Sequence, residues 1–344
     1  MRNVGAGRLA FTTDIDAAVQ NAEVVILAVG TPIGTSGETD LSQVDAAVLS
    51  IRENLNDYKV IVTKSTVPVG TNRWIEGKLL ETKSHDLFSV VSNPEFLREG
   101  HAVHDFFHPD RIVIGCEDEK ARRIMEEIYR PLYLIQTPFV WCTIETAEII
   151  KYSCNSFLAT KIAFINEMAN MCESVGADIH TIARAMGMDG RISPKFLHPG
   201  PGYGGSCLPK DTKETANTGK RYGVDMGVVR AVVESNERQK LRVAESLSKL
   251  MDLKGKRIAV LGLAYKSETD DIRESPAISI VAKLFVESAE IHAHDPKAVP
   301  NFKKLFPDIH YHDSEFGAES GIQLFRNRPV ERVELPLYTD LDDE

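Results

Sequence analysis

The sequence has few of the features that mark membrane, secreted or metal-binding proteins. Its five cysteines include no CxxC pair, so the chain indicates neither a disulfide framework nor a cysteine-based zinc site. No apolar run approaches the roughly 18 residues of a membrane span, and residues 1–20 contain no signal-peptide core. We therefore expect a cytoplasmic protein with reduced thiols, no metal and no membrane partner.

An excess of positive charge is also lacking. The formal net charge is −10, from 40 Lys and Arg against 50 Asp and Glu, which argues against nucleic acid as a partner. A local cationic pocket on an acidic protein can still bind a small anionic ligand. With 344 residues and no internal repeat, the chain is long enough for more than one domain.

A strand that leads through a G-x-G-x-x-G turn into a helix is missing as well. In many nucleotide-binding domains that arrangement places the pyrophosphate of a dinucleotide at the helix N-terminus. The nearest approach is GAGRLAF (5–11), but it follows no predicted strand and opens no predicted helix. The first predicted strand comes later and ends in AVGTP (28–32), a turn that is a candidate dinucleotide contact.

What the chain does contain is an alternation of strand and helix patterns over residues 1–130. Nearly unbroken runs rich in Val and Ile predict buried strands at 23–30, 59–67, 87–92 and 111–116. Helical periodicity predicts helices near 42–55, 70–82 and 118–130. This alternation predicts an α/β fold with a parallel sheet.

The middle of the chain is helical. Residues 143–175 contain neither Pro nor an internal Gly, and at 1.5 Å per residue they predict a helix on the order of 50 Å long. A helix of that length is typical of a domain link or a dimer interface. Further helices are predicted at 178–187, 226–251 and 276–288, and further strands at 256–266 and 290–296.

These patterns predict three parts. A partial α/β domain covers 1–130, a central helical domain with the cysteine loop covers 131–250, and a second α/β domain covers 251–344. From about residue 316 onward the sequence follows neither the strand nor the helix pattern, and we interpret it as an atypical tail.

The stretch GPGYGGSCLPKD (200–211) is the strongest local signal. Four glycines crowd the approach to Cys207. Glycine permits positive φ and close approach of the backbone to a ligand, at an entropic cost that suits a binding loop better than a core. A buried structural cysteine beside a tight turn is the alternative. Pro209 suits the first turn of a helix and Lys210 adds positive charge, which favours a reactive thiol.

Read together, several motifs resemble the UDP-glucose/GDP-mannose dehydrogenase family. They are AVGTP, KSTVPVGT (64–71), SNPEFLREG (92–100), ETAEIIKYSCNSFLATKIAFINE (145–167), GPGYGGSCLPKD and VLGLAYKSETDDIRESPA (260–277). They occur in the family's order, and the GGSCLPKD form is closer to the UDP-glucose and GDP-mannose branches than to the N-acetylmannosamine branch. The resemblance implies a Rossmann-like NAD domain lacking its opening, a central long-helix dimerisation region and a second Rossmann-like domain for the UDP-sugar.

The resemblance also implies an activity. The family oxidises the C6 alcohol of a nucleotide sugar such as UDP-glucose to a carboxylate with two NAD⁺, through an enzyme-bound aldehyde and a thioester. The implied catalytic residues are Cys207 as nucleophile, Lys151 and Asn155 at developing oxyanions, Asp211 as the acid that positions a water, and Thr66 and Glu95. The implied substrate-binding residues are Glu95, Phe96, Leu97, Lys151, Asn155, Arg191, Tyr203, Gly204 and Lys266. The implied cofactor contacts are Thr31, Thr66, Glu99, Lys210 and Arg273. A homodimer or higher homo-oligomer is implied as well.

Simpler interpretations remain open for several of these residues. Lys151 and Asn155 lie one turn apart on the predicted helix, so a solvated polar face is the alternative to an oxyanion-stabilising pair. Asp211 with Glu214 is a candidate capping box.

Other polar residues have equally plain alternatives. Lys266 is also consistent with a surface lysine after a strand, and Arg273 with an ion pair to Asp270 or Asp271. The histidines His101, His104 and His108 favour an exposed loop over a metal site, because Pro109 breaks their spacing and no matching carboxylate cluster accompanies them.

Two parts of the family pattern are not recognisable: the opening with its glycine turn and ribose-binding acid, and the last portion. We therefore expect this chain to be unable to catalyse the dehydrogenation, although weak UDP-sugar binding survives. The alternatives are a GDP-mannose dehydrogenase and a non-catalytic remnant that binds nucleotide sugar and dimerises. A cysteine hydrolase or acyltransferase is less favoured, because no motif places a His to activate the thiol.

Overall fold

The computed structural model describes residues 2–34, 38–133, 137–315 and 317. The chain divides into two compact units, Met1–Ser153 and Cys154–Glu344, and the division falls inside one long helix. The predicted tail lies outside the described residues, apart from Gly317. No helix in the described part of the chain is long and apolar enough to cross a membrane.

The first unit alternates helices and strands, as the sequence predicts. Its elements are α1 (Arg2–Gly5), α2 (Ile15–Asn21), β1 (Val24–Leu27), α3 (Ser42–Asn54), β2 (Lys59–Thr63), α4 (Thr71–Leu80), a 3₁₀ turn (His85–Leu87), β3 (Phe88–Ser92), α5 (Ala102–Phe107), β4 (Ile112–Gly115), α6 (Glu119–Tyr133), β5 (Phe139–Cys142) and α7 (Ile144–Val175). The four predicted strands and the long helix are confirmed. The sequence patterns did not reveal α2, α5 and β5, which are short.

The described strands of this unit form one sheet in the order β1-β2-β3-β4-β5. The pairs β1–β2, β2–β3 and β4–β5 are parallel, but β3 and β4 are antiparallel and meet through the single pair Ser92 and Gly115. The expectation of a wholly parallel sheet is therefore wrong at this one pair. A run of Val and Ile specifies burial on both faces but carries no information about strand direction.

Helices cover both faces of the sheet. On one face Ile61 packs with Val44, Ile51 and Ile75, while its strand neighbour Val60 packs on the other face. Alternate residues of β2 thus point into separate apolar clusters, which is why its sequence shows no polar alternation. The functional residues of the first unit that are considered below lie in the loops after β1, β2 and β3 and on α7.

The second unit contains helices followed by a smaller sheet. After the shared helix α7 come α8 (Ile179–Gly187), α9 (Leu208–Arg221), α10 (Gly227–Leu250), β6 (Arg257–Leu261), α11 (Pro276–Val286), β7 (Glu290–His294), α12 (Val299–Phe302) and β8 (His310–Tyr311). The strands pair in the order β6-β7-β8, all parallel. Ile280 and Leu284 of α11 pack with Ile291 and Ala293 of β7, which confirms the predicted second α/β layer.

Candidate active site

The loop after β2 is held by a glutamate on α7. Helix α4 begins at Thr71, and its N-cap is Gly70, which has φ +91° and no side chain to accept a hydrogen bond. Glu148 takes over that role, because its carboxylate accepts the backbone N–H of Gly70 at 2.7 Å and that of Asn72 at 2.9 Å. Burial raises the pKa of the Glu148 carboxyl, and the accepted hydrogen bonds oppose this. Sequence reasoning missed Glu148, although it lies within a quoted motif.

Two predicted cofactor-side residues meet beyond the carboxyl ends of β1 and β2. The Thr31 hydroxyl donates to the Thr66 carbonyl at 2.8 Å, and the Ser65 hydroxyl donates to the Val29 carbonyl at 2.6 Å. Ligands of open α/β sheets bind outside the carboxyl ends of the strands. The two loops are therefore fixed to each other where a ligand is expected. Glu99 is half-buried and lies further along, in the loop before α5.

An ion pair between a buried lysine and a partly buried glutamate joins the PEFL motif to α7. Lys151 is only 4% exposed, and its Nζ lies 3.2 Å from Oε1 of Glu95 and 5.2 Å from the centre of the Phe96 ring. The other Glu95 oxygen accepts the backbone N–H of Leu97, and the Arg111 guanidinium lies 3.9 Å from the Phe96 ring centre. A solvated polar face is therefore the wrong interpretation of Lys151. Arg111 was not identified from the sequence.

A second lysine, Lys64, lies close enough to this pair to interact with it electrostatically. Its Nζ donates to Oδ1 of Asn93 and to the hydroxyl of Tyr129, both at 3.2 Å. Burial lowers the pKa of Lys64 to about 8; the Glu95 carboxylate opposes this shift and the Lys151 ammonium adds to it. Lys64 opens the quoted motif KSTVPVGT, yet only the burial seen in the structure distinguishes it from a surface lysine.

In the second unit, the glycine loop is fixed by an asparagine on α10. Asn236 accepts the backbone N–H of Tyr203 at 2.7 Å and donates to its carbonyl at 3.0 Å. A Cβ on Gly204 would lie 2.5 Å from the carbonyl oxygen of Glu274, so this glycine permits close packing of the loop on its own unit. Tyr203 is buried, which raises its pKa to about 12. The substrate contacts expected of Tyr203 and Gly204 stay predictions.

Cys207 is exposed and occupies the N-cap position of α9. The helix begins at Leu208 with Pro209 in its first turn, as predicted, and the sulfur lies 3.6 Å from the Ser206 hydroxyl. A helix N-terminus favours negative charge. A buried structural cysteine is thus the wrong interpretation of Cys207. Cys116 and Cys142 of the first unit are half-buried, and burial raises the pKa of each of these two thiols.

Asp211 is buried one turn further along α9 and is held through both carboxylate oxygens. Asn155 donates to Oδ2 at 2.5 Å, and the Lys210 ammonium lies 2.6 Å from Oδ1. The predicted capping box is wrong, because Asp211 lies inside the helix and donates its own N–H to the Cys207 carbonyl at 2.8 Å. Glu214 instead accepts a hydrogen bond from the Arg221 guanidinium.

Three further predicted ligand contacts lie in the second unit, and the Arg273 carbonyl accepts the backbone N–H of Gly205 in the glycine loop at 2.8 Å. Arg191 is exposed and pairs with Asp189 at 2.6 Å. Arg273 makes a bidentate ion pair with Asp271, with N–O distances of 2.7 and 2.9 Å. The predicted ion pair is therefore confirmed. Lys266 is half-buried, with its Nζ 5.9 Å from the centre of the Tyr265 ring.

The histidines near α5 contain no three-ligand group within the described residues. His104 and His108 stack with their ring centres 4.6 Å apart, and His101 occupies the N-cap position of α5 without a side-chain capping hydrogen bond. In the described part of the chain, the one group of three suitable donors lies elsewhere, on β7 and β8.

Comparison with known proteins accounts for most of the chain. Residues 1–133 match the NAD binding domain of the UDP-glucose/GDP-mannose dehydrogenase family, residues 145–238 its central domain and residues 259–323 its UDP binding domain. The UDP-glucose 6-dehydrogenase of Rhizobium meliloti is 49% identical over 312 residues, covering 89% of this chain and 71% of the relative. UDP-glucose 6-dehydrogenase TuaD of Bacillus subtilis is 44% identical over 92% of this chain and 69% of its own length.

A solved structure agrees with these relatives. The UDP-glucose dehydrogenase of the hyperthermophilic archaeon Pyrobaculum islandicum superposes with a TM-score of 0.87 at 36% identity, covering 93% of this chain and 74% of the other. The chain therefore belongs to the UDP-glucose/GDP-mannose dehydrogenase family of NAD-dependent oxidoreductases.

Proposed function

We propose that the chain acts on UDP-glucose and oxidises its C6 alcohol to a carboxylate, through an intermediate bound to Cys207. The observation that carries this proposal is the exposed thiol at the N-terminus of α9, one turn from the buried Asn155–Asp211 pair. The UDP-glucose 6-dehydrogenases among the relatives and the UDP binding domain at 259–323 support UDP-glucose as the substrate.

The described residues fit part of an NAD⁺ site. The loops that carry Thr31 and Thr66 lie at the carboxyl ends of neighbouring parallel strands, where a dinucleotide binds in this kind of sheet. We propose Thr31, Thr66, Glu99, Lys210 and Arg273 as its contacts. The bound cofactor would accept a hydride from C6 in each of the two oxidations. Residues 5–11 begin at the last residue of α1 and follow no strand, and the next helix, α2, begins only at Ile15, so these residues do not form a pyrophosphate turn.

The covalent step uses the sulfur of Cys207. After the alcohol has become an aldehyde, the thiolate adds to C6, a C–S bond forms and the carbonyl oxygen becomes an oxyanion. Loss of the second hydride from C6 turns this adduct into a thioester. Water then adds to the thioester, the C–S bond breaks, and the products are a carboxylate and the free thiol. Two hydrides leave in all, which balances the oxidation of an alcohol to an acid.

Lys151 and Asn155 suit the stabilisation of the oxyanion. Lys151 brings a positive charge into a buried setting, where Glu95 balances it in the resting protein. One N–H of the Asn155 amide is used by Asp211, and the amide carries a second N–H that can donate to a reacting oxygen. We propose Asp211 as the acceptor of a proton from the hydrolytic water.

The substrate assignment is tested by calorimetric titration of the chain with UDP-glucose and with GDP-mannose. We expect UDP-glucose to bind more tightly, and we expect Cys207→Ser to bind it nearly as well as the parent chain. Tighter binding of GDP-mannose would contradict this assignment and favour the GDP-mannose branch of the family. Production of UDP-glucuronate by Cys207→Ser at the parental rate would refute the covalent route.

We also propose that a second copy of the chain covers one face of α7. Phe157, Phe164 and Met171 are about half exposed or more, and their spacing of seven residues puts them on one face of the helix. Sedimentation at micromolar concentration should give a dimer, and Phe157→Glu with Phe164→Glu should give monomers. Val228→Glu, at another exposed apolar position, is the control. A monomeric parent chain contradicts the proposal.

The five free cysteines of the chain, including the proposed nucleophile, support a reducing compartment, and we propose the cytoplasm as its location.

A further inference from the structure

One face of the second unit's sheet carries a group of imidazoles. His292 of β7 lies opposite His310 of β8 in the parallel register. Because side chains alternate along a strand, Glu290 shares the face of His292. The opposite face of β7 carries Ile291 and Ala293, which pack into the apolar core. Polar donors from two neighbouring strands are therefore collected on the face away from that core.

The donor atoms converge on one point. Oε1 of Glu290 lies 3.1 Å from Nε2 of His292 and 3.7 Å from Nε2 of His310, and the three ligand atoms lie within 4.8 Å of one another. Around a tetrahedral zinc ion with bonds of about 2.0–2.1 Å, ligand atoms are separated by about 3.3–3.5 Å. Two of the three separations already lie within a few tenths of an ångström of that value.

Outer hydrogen bonds orient these donors as they do in metal sites. Nδ1 of His292 lies 2.8 Å from Nε2 of His312, so a His292 ligand bound through Nε2 would donate its remaining N–H to that neighbour. Arg257 lies 3.3 Å from the second oxygen of Glu290, which leaves Oε1 directed at the histidines. The ring of His292 also stacks on both neighbouring imidazoles, at 4.8 Å from His310 and 5.1 Å from His312.

We propose that Glu290, His292 and His310 bind a divalent transition-metal ion such as zinc, with water completing its coordination. Imidazole and carboxylate are the donors that such ions take. His292 is 8% exposed, whereas His310 is exposed, so the site has one buried anchor and an open side through which an ion enters. The residues proposed for catalysis do not belong to this group.

The test is titration of the metal-free chain with Zn²⁺ in competition with a chromophoric chelator, followed by Co²⁺ titration read by its visible absorption. All chains carry Cys207→Ser, because an exposed thiol also binds zinc. We expect one equivalent to bind. His310→Asn and Glu290→Gln should each weaken binding by roughly 100-fold or more, and His312→Phe by about 10–100-fold, the range typical of outer-shell changes.

His104→Asn is the matched control, because it alters a stacked histidine pair outside the group. It should leave the affinity unchanged. His310 is exposed, so its substitution should preserve the fold, which circular dichroism checks. Absence of binding at micromolar Zn²⁺, or equal affinities in the parent, His310→Asn and Glu290→Gln chains, overturns the proposal.

Discussion

Replacing Lys64 with Met should change how the stability of the first unit depends on pH. In the folded chain the pKa of Lys64 is about 8, against an ordinary value of 10.5, chiefly because the ammonium is buried. Between these two values the unfolded chain holds a proton that the folded chain has lost. The unfolded state then binds more protons, so the Lys64 contribution to the free energy of unfolding rises with pH through this window.

A pKa difference of that size corresponds to about 3 kcal/mol. Lys64→Met removes this contribution together with the two hydrogen bonds that Lys64 donates to Asn93 and Tyr129. The stability of the parent chain minus that of the variant should therefore increase by about 2–3 kcal/mol from about pH 7.5 to about pH 10.

Urea unfolding followed by tryptophan fluorescence measures this difference. Both tryptophans of the chain, Trp74 and Trp141, lie in the first unit, so the signal reports on that unit alone. Lys120→Met, at an exposed position of the same unit, is the control; it removes the contact of the Lys120 ammonium with the Tyr58 ring, 3.3 Å from the ring centre, so we expect an offset from the parent chain without the rise expected for Lys64→Met. A difference between parent and Lys64→Met that stays constant with pH, or that shrinks as pH rises, refutes the reasoning.

Two further predictions concern catalysis and the cofactor. Lys151→Ala should reduce kcat far more than it raises KM, because a cation that faces a developing oxyanion acts mainly in the transition state. Steady-state kinetics measures both constants. An effect confined to KM would mean that Lys151 binds substrate and does not stabilise the transition state. Thr31→Val should weaken the binding of NAD⁺ measured by calorimetry, because the Thr31 hydroxyl holds its loop to the Thr66 carbonyl where the dinucleotide is expected; an unchanged affinity would contradict the assignment of these loops to the cofactor.

Most of the fold could be predicted because hydrophobic periodicity follows burial. The strands around Val60 and Ile114 and the long helix at Ile144–Val175 all carry unambiguous patterns. The direction of β4 could not be predicted, since apolar residues are equally suited to either direction. The short elements α2, α5 and β5 contain too few residues to show a period. The division into domains at 130 and 250 stays a prediction.

Less of the candidate site than of the fold could be predicted from the sequence. Motifs indicated Cys207, Lys151 and Asp211. The alternative interpretation of Asp211 as a helix cap was wrong, because a capping box depends on where the helix begins. Glu148 and Lys64 matter through burial and through partners more than 25 residues away in the sequence, such as Asn93, 29 residues beyond Lys64. No local pattern contains that information.

The central claim is that the sulfur of Cys207 traps C6 of the sugar as a covalent adduct. The most direct measurement is carbon NMR of the 6-aldehyde of UDP-glucose, labelled with carbon-13 at C6 and mixed with the chain; this step needs no cofactor. The account predicts that the C6 signal moves from the hydrated aldehyde to a thiohemiacetal with the parent chain and with Cys154→Ala. With Cys207→Ala the signal should not move. An unchanged signal with the parent chain, or an adduct that persists in Cys207→Ala, would contradict the account.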